Sequence, residues 1–423
     1  MAELALLLSG LVVFIYALVS KRLAQGIVTG PIIFLALGLM LDRAGLVDLH
    51  DAEVALHVLA ELTLVIVLFA DAAAINVTAL RQRLVWPERM LIAGLPLAVL
   101  FGFLIGALLL PSWPFWEVAL LAAILAPTDA ALGQAVVTNK AVPEPVREAL
   151  TVESGVNDGL ALPAVLMFAC LAVEGAHDNV QINWAVFAMY QIGLGSIAGL
   201  AVGYLGAKLL ALAADRGYSA GAFEGIAVLA LAGLSYLAAV AIGGNGFLAA
   251  FVGGLSFGTV MKGRCAFVFE FMETEGQLLV LGTFLLLGAA AAPHALAHVE
   301  PVWLVLILLS LFVVRPAAIW LSLWRSDASP LAKGFMGWFG PRGLATALFA
   351  LLVVGDFVLL TKGDEILSIA VLAVLISAVL HGVSAAPGAR WFAGRINQQA
   401  IPAMATKEPS QDEQDLRRQA ERP

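Results

Sequence analysis

A chain of 423 residues that is 61% hydrophobic and 13% charged, with a mean hydropathy of +0.95, carries about half the charge density of a soluble domain. It lacks the polar surface that a soluble protein of this length needs, and so reads as an all-α polytopic membrane protein. The formal net charge of −8 is partly a property of loops and tail and identifies no substrate, while Cys170 and Cys265 stand too far apart to suggest a disulfide framework or a metal site.

Apolar runs recur at about 4–20, 27–41, 56–76, 89–110, 116–138, 146–173, 184–213, 222–241, 246–260, 277–292, 301–324, 335–354 and 365–386, which predicts 13 transmembrane helices. The first run has no basic segment before it and no small-residue cleavage motif after it, so it reads as a retained span rather than a signal peptide. The runs 27–41, 246–260 and 277–292 are short for a full crossing. Basic residues give an independent check on the count, because cytoplasmic loops hold the excess. Odd-numbered loops carry Lys21 and Arg22, then Arg81, Arg83 and Arg89, then Lys140 and Arg147, Lys208 and Arg216, Lys262 and Arg264, and Arg325 and Lys333. With the C-terminal segment they hold nineteen of the 23 Lys and Arg residues, and even-numbered loops hold only Arg43 and Lys362. That alternation places the N-terminus outside and the C-terminus in the cytoplasm of a multi-pass cell-membrane protein. Residues 396–423 turn polar and charged and read as a short disordered tail.

The fifth and twelfth spans are interrupted, at Ala126-Pro-Thr-Asp129 and Gly340-Pro-Arg-Gly343. Proline removes a backbone donor and clashes with the carbonyl four residues back. At membrane depth the freed groups are tolerated only against protein or a cavity. With the seventh span set aside, the chain divides into six plus six spans, and each break falls in the fifth member of its half. Such positions point to an inverted repeat with its site between the halves, although the halves share no side-chain similarity. Where two broken helices cross, half-helix ends of both signs converge, and Asp129 and Arg342 could each balance one sign. The plainer alternative is that Pro127 and Pro341 only kink two helices.

The sixth span carries Thr151-Val-Glu-Ser-Gly-Val-Asn-Asp-Gly159, in which Ser154 and Asp158 share one helical face and Glu153 and Asn157 the next. Each ionisable group at the bilayer centre costs roughly 2.5–3.5 kcal/mol on insertion scales, so two of them in one span imply a site. Asp71, Asp129, Glu153 and Asp158 face only Arg315 and Arg342 as candidate mid-membrane charges, a deficit that one or two monovalent cations or protons would fill. Hard oxygen ligands, namely Asp158, the Ser154 hydroxyl, the Thr128 carbonyl and Asp71, suit an alkali metal cation rather than a soft transition metal. Burial disfavours a bare carboxylate, so Asp158 can hold a cation or a proton in turn. If the protein switches sides only when that group is occupied, the two ions must exchange. Glu153 reads as the structural partner of Arg342, and Arg315, beside Pro316, as structural. Asp71 lies either in the site or at the membrane edge, since Arg81 follows ten residues later. The six histidines, His381 among them near a cytoplasmic end, read as interfacial groups or as pH sensors.

These residues resemble the monovalent cation:proton antiporter superfamily, in its NhaP/NHE-type sodium/proton branch. Glu-Ser-Gly-Val-Asn-Asp-Gly (153–159) is similar to that branch's sixth-span Asn-Asp signature, Ala-Pro-Thr-Asp-Ala (126–130) to its unwound fifth span, and Gly-Trp-Phe-Gly-Pro-Arg-Gly (337–343) to its twelfth-span arginine motif. The likeness covers about residues 1–395 in order. It implies an NhaA/NhaP-like homodimer with a dimerisation part at about 1–86 and 222–295 and a mobile core at about 87–183 and 300–390. It also implies that Asp158, Ser154 and the Thr128 carbonyl hold the cation, that Asn157 orients the site and that Glu153 pairs with Arg342. Asp71 follows Leu-Phe-Ala, whereas some members place their acid directly after Leu-Phe. An Asn-Asp pair resembles the electroneutral members, and a single titrating carboxylate fits one-for-one exchange.

The expected function is therefore secondary exchange of Na⁺, with Li⁺ or K⁺ as alternatives, for H⁺ by alternating access. No cofactor beyond the transported ions and no nucleic-acid partner is expected; the bilayer and a second copy are the expected partners. A potassium-selective antiporter is the nearest alternative. A cation channel would want a filter of repeated backbone carbonyls, a sensor would want an output domain, and an enzyme would want a nucleophile–base pair or phosphate loop; the sequence suggests none of them.

Overall fold

The structure, a computed structural model, describes residues 2–23, 29–75, 85–129, 132, 134–176, 184–261, 266–357 and 359–405. Every regular element among them is helical, as expected where hydrocarbon offers the backbone no hydrogen-bond partner. Eight helices are long and apolar enough to cross a membrane, and four shorter apolar helices accompany them among the described residues.

The chain opens with α1 (Ala2–Leu23), α2 (Gly30–Arg43) and α3 (Leu49–Ala74). There follow α4 (Val85–Leu109), α5 (Phe115–Ile124), the single turn α6 (Gln134–Val137), α7 (Glu144–Ala176) and α8 (Trp184–Asp215). The second half holds α9 (Gly221–Ala241), α10 (Gly246–Met261), α11 (Ala266–Leu286, running on to Ala297), α12 (Pro301–Ser322), α13 (Pro330–Trp338), α14 (Leu344–Asp356) and α15 (Gly363–Ala405). The short run 277–292 thus lies within a longer apolar helix, Gly276–Ala297. The tail boundary also moves: helix continues through Ala405 rather than ending at 395, because no glycine follows Gly394 and polar Asn397, Gln398 and Gln399 do not stop a helix. Residues 406–423, Cys265, Arg81 and Arg83 lie outside the described residues.

Among the described residues three helices contain a π-turn, at Met90–Gly94, Leu287–Ala291 and Ser310–Val314. Each ends two residues before a proline, Pro96, Pro293 or Pro316. The proline has no N–H and crowds the carbonyl four residues back, and the widened turn takes up both effects without ending the helix. Two of these helices, α4 and α12, pack on each other with their π-turns near the contact.

Close backbone approach fixes α3. A Cβ at Gly254 or Gly258 of α10 would lie 2.1 Å from the carbonyl oxygens of Phe69 and Ala73 respectively, so this small-xxx-small pair lets two helices meet backbone to backbone. Asp71 is thereby held on a rigid element, with its Cβ 3.8 Å from where a side chain at Gly155 would begin.

Candidate functional site

Both broken spans are observed. α5 stops at Ile124 and, among the described residues, regular helix next appears at Gln134; α13 stops at Trp338 and α14 starts at Leu344. The breaks cross and are tied together: the Asp129 N–H donates to the Pro341 carbonyl at 2.9 Å. Asp129 Oδ2 accepts from the Leu344 N–H at 3.0 Å, placing a carboxylate on the positive start of α14. Arg342 Nη1 donates to the carbonyls of Ala126 at 2.6 Å and Pro127 at 3.0 Å, the orphan acceptors just past the negative end of α5. Asp129 and Arg342 each meet a half-helix end of opposite sign. Gly343 is required here, since a Cβ would fall 1.9 Å from Asp129 Oδ2.

The pairing expected for Glu153 is corrected. Its carboxylate receives Arg315 Nη1 and Nη2, each at 2.8 Å, and does not pair with Arg342. Arg315 follows a π-turn and can offer its guanidinium fork flat to both carboxylate oxygens, the geometry at which arginine binds best. Arg342 is committed to the fifth-span carbonyls and, at 3.4 Å, to Ser310 Oγ. Both arginines are almost fully buried.

α7 carries Ser154, Asn157 and Asp158 into the crossing, all three buried. Ser154 Oγ donates to the Thr128 carbonyl at 2.8 Å and Asn157 Nδ2 to Thr128 Oγ1 at 2.6 Å. Thr128 is thus gripped through both its oxygens by one face of α7. Asp158 Oδ1 and Asn157 Oδ1 are buried acceptors without a hydrogen-bond partner. An unpartnered buried carboxylate oxygen beside a hydroxyl and a carbonyl has the chemistry of a hard-cation ligand. A cavity of about 10 Å³, room for roughly one water-sized sphere, is lined by Thr128, Asp129, Ser154 and Gly340 among others. A larger cavity of about 450 Å³ between α4, α5 and α7 is lined by side chains such as Leu95, Phe103, Trp116 and Phe168 and offers a cation no ligand.

Two acidic groups, Glu117 and Glu61, escaped the sequence reading. Glu117, fully buried in the first turn of α5, accepts from Thr361 N and Oγ1 and from Lys362 N at 2.7–3.0 Å. Lys362 itself bonds Glu365 at 2.7 Å, which holds its ammonium above the usual lysine range. Glu61, within the third span, accepts from the Tyr236 hydroxyl. His381 is corrected from an interfacial group to a buried one, 1% exposed, because the chain passes it well inside the long α15. Glu117 and His381 are buried by the helices that pack against them, which the sequence alone does not give.

The profile of the family described as "Sodium/hydrogen exchanger, transmembrane" matches residues 9–391. The K(+)/H(+) antiporter NhaP2 of Shewanella sp. (strain ANA-3) is 30% identical over 390 residues, covering 88% of this chain and 63% of that protein. The K(+)/H(+) antiporter NhaP of Alkalimonas amylolytica is 26% identical over 408 residues, 93% of this chain and 67% of its own length. The chain therefore spans about two thirds of these relatives. Among solved structures, the sodium proton antiporter MjNhaP1 from Methanocaldococcus jannaschii at pH 8 superposes with a TM-score of 0.73 at 20% identity, over 93% of this chain and 96% of that one. At that identity the likeness is one of fold.

Proposed function

The chain belongs to the transmembrane sodium/hydrogen exchanger family, and from that premise we propose that it is a secondary active transporter exchanging a monovalent alkali cation for a proton. The observation that carries this reading is the buried, unpartnered Oδ1 of Asp158 beside the Thr128–Ser154–Asn157 cluster. One carboxylate holds a cation or a proton and cannot hold both, so each ion displaces the other. Asp158 is the principal ligand and proton carrier. Ser154 Oγ and the Thr128 carbonyl turn from each other to the arriving cation, and Asn157 keeps Thr128 in place. Asp129 holds the two breaks together, Asp71 flanks the site from α3, and Glu153–Arg315 neutralises itself. Alternating access follows if the core reorients only with Asp158 occupied.

In this reading there are thirteen spans, of which all but the seventh form a six-plus-six inverted repeat, with the N-terminus outside, the C-terminus in the cytoplasm, residues 1–86 and 222–295 as the homodimer part and 87–183 and 300–390 as the moving core. The prolines that follow π-turns in α4 and α12, the fourth span of each half, support the repeat beyond the two breaks. Na⁺ is the first reading of the cation. K⁺ is the second, favoured by the K(+)/H(+) names of the sequence relatives. Proton flux in proteoliposomes under an imposed pH gradient, with Na⁺, Li⁺ and K⁺ added in turn, tests both; no flux with any of the three overturns the proposal.

A further inference from the structure

We propose that Ser377 and His381, one helical turn apart on α15, form a clip that sets the shape of the twelfth-span break and, through Arg342, the position of Thr128. The proposal rests on the antiport reading above and concerns residues which that reading leaves unused.

The half-helix α13 ends at Trp338, whose carbonyl accepts the Gly340 N–H at 2.9 Å and has a second lone pair free for a side chain once the helix stops. His381 Nε2 lies 3.0 Å from that carbonyl oxygen. Nδ1 lies 3.1 Å from Ser377 Oγ and 3.0 Å from the Ser377 carbonyl, so each ring nitrogen faces a carbonyl, which can only accept, while a neutral imidazole has one N–H to give. In the tautomer with the hydrogen on Nε2, Nδ1 accepts from the Ser377 hydroxyl; with the hydrogen on Nδ1, the Ser377 carbonyl receives it. Ser377 Oγ in turn accepts the Arg342 N–H at 2.7 Å. With the hydrogen on Nε2 the bonds run in one direction: Arg342 N–H to Ser377, Ser377 O–H to His381, His381 N–H to Trp338.

Both ends of the irregular stretch 338–342 are thus tied to two side chains on one rigid helix. Ser377 and His381 are 0% and 1% exposed, so water cannot replace either. The Trp338 ring stacks on the imidazole at 4.8 Å between centroids and bonds Ser384 Oγ at 3.1 Å, which fixes the ring plane. With the Arg342 backbone set, its guanidinium falls on the carbonyls of Ala126 and Pro127, the residues immediately before Thr128. His381 touches no transported ion. It is a positioning residue, acting through the break.

The test uses the full chain in proteoliposomes: wild type, Ser377→Ala, His381→Ala, the double variant and His381→Gln, whose amide can still donate to the Trp338 carbonyl. Each alanine variant is expected to raise the apparent KM for the activating cation roughly tenfold, as loss of an outer-shell support does. The double variant should be no worse than the worse single one, and His381→Gln should recover most of the loss. Unchanged KM in Ser377→Ala, or multiplying effects in the double variant, overturns the clip. If His381→Ala does not fold, Ser377→Ala and His381→Gln decide. Absence of exchange by the wild type would sink the antiport reading alone. The clip is then judged by melting temperatures of the same proteins, where non-additive losses support it and additive losses overturn it.

Discussion

At the scale of single residues, on the antiport proposal the site divides into groups that would hold the ion and groups that hold the protein. Asp158→Asn removes the exchangeable charge and keeps the volume of the side chain. It is expected to abolish exchange in proteoliposomes while the melting temperature stays at or above that of the wild type, since a buried carboxylate without a partner is itself a cost. Retained exchange would move the principal ligand elsewhere. Arg315→Ala does the opposite. It strands Glu153, 4% exposed, and removing one partner of a buried pair costs about 3–5 kcal/mol. Adding Glu153→Gln should recover much of that loss in a denaturation series, whereas adding it to Arg342→Ala should recover nothing. The acids and hydroxyls of 153–158 were legible in the sequence because polar groups inside an apolar run stand out. The partner of Glu153 was not legible, because two arginines were available and only the path of α12 brings Arg315 face-on to the carboxylate.

At the scale of elements, the broken spans were written as proline and glycine and could be placed to within a few residues. The π-turns had the same kind of signal in Pro96, Pro293 and Pro316, but a proline announces a disturbance without saying whether the helix will stop, kink or widen. What decides is whether neighbouring helices can satisfy the freed groups, as Ser377, His381 and Arg342 do at the twelfth span. Two glycines in that region should therefore behave differently. A Cβ at Gly340 would fall 1.7 Å from Arg315 Nε, so Gly340→Ala must displace the guanidinium from Glu153 and is expected to lower both melting temperature and exchange rate. Gly334 lies within α13 with nothing inside 4 Å of an added Cβ, so Gly334→Ala should leave exchange intact and stabilise by about 0.5–1 kcal/mol through helix propensity. Equal effects at the two positions would mean that packing around the break is not the constraint described here.

At the scale of the whole molecule, hydropathy and the alternation of basic residues made the all-helical membrane architecture legible, since both follow from physics that acts on any chain in a bilayer. Stoichiometry depends on something subtler, the number of carboxylates left to carry charge once internal pairs are counted. Glu153 is matched by Arg315, Arg342 by the end of α5, and Asp129 by the start of α14. On the proposed reading Asp158 is then the carrier, and one cation exchanged for one proton would move no net charge. The expected outcome is that cation-driven proton flux in proteoliposomes is the same with the membrane potential clamped at zero or set by an ionophore. The measurement is sensitive, because one charge crossing 100 mV is worth about 2.3 kcal/mol. A flux that responds to potential would identify Asp71, which faces α7 at Gly155, as a second proton carrier. In that case Asp71→Asn should restore indifference to potential, and failure to do so would place the extra charge outside the two carboxylates.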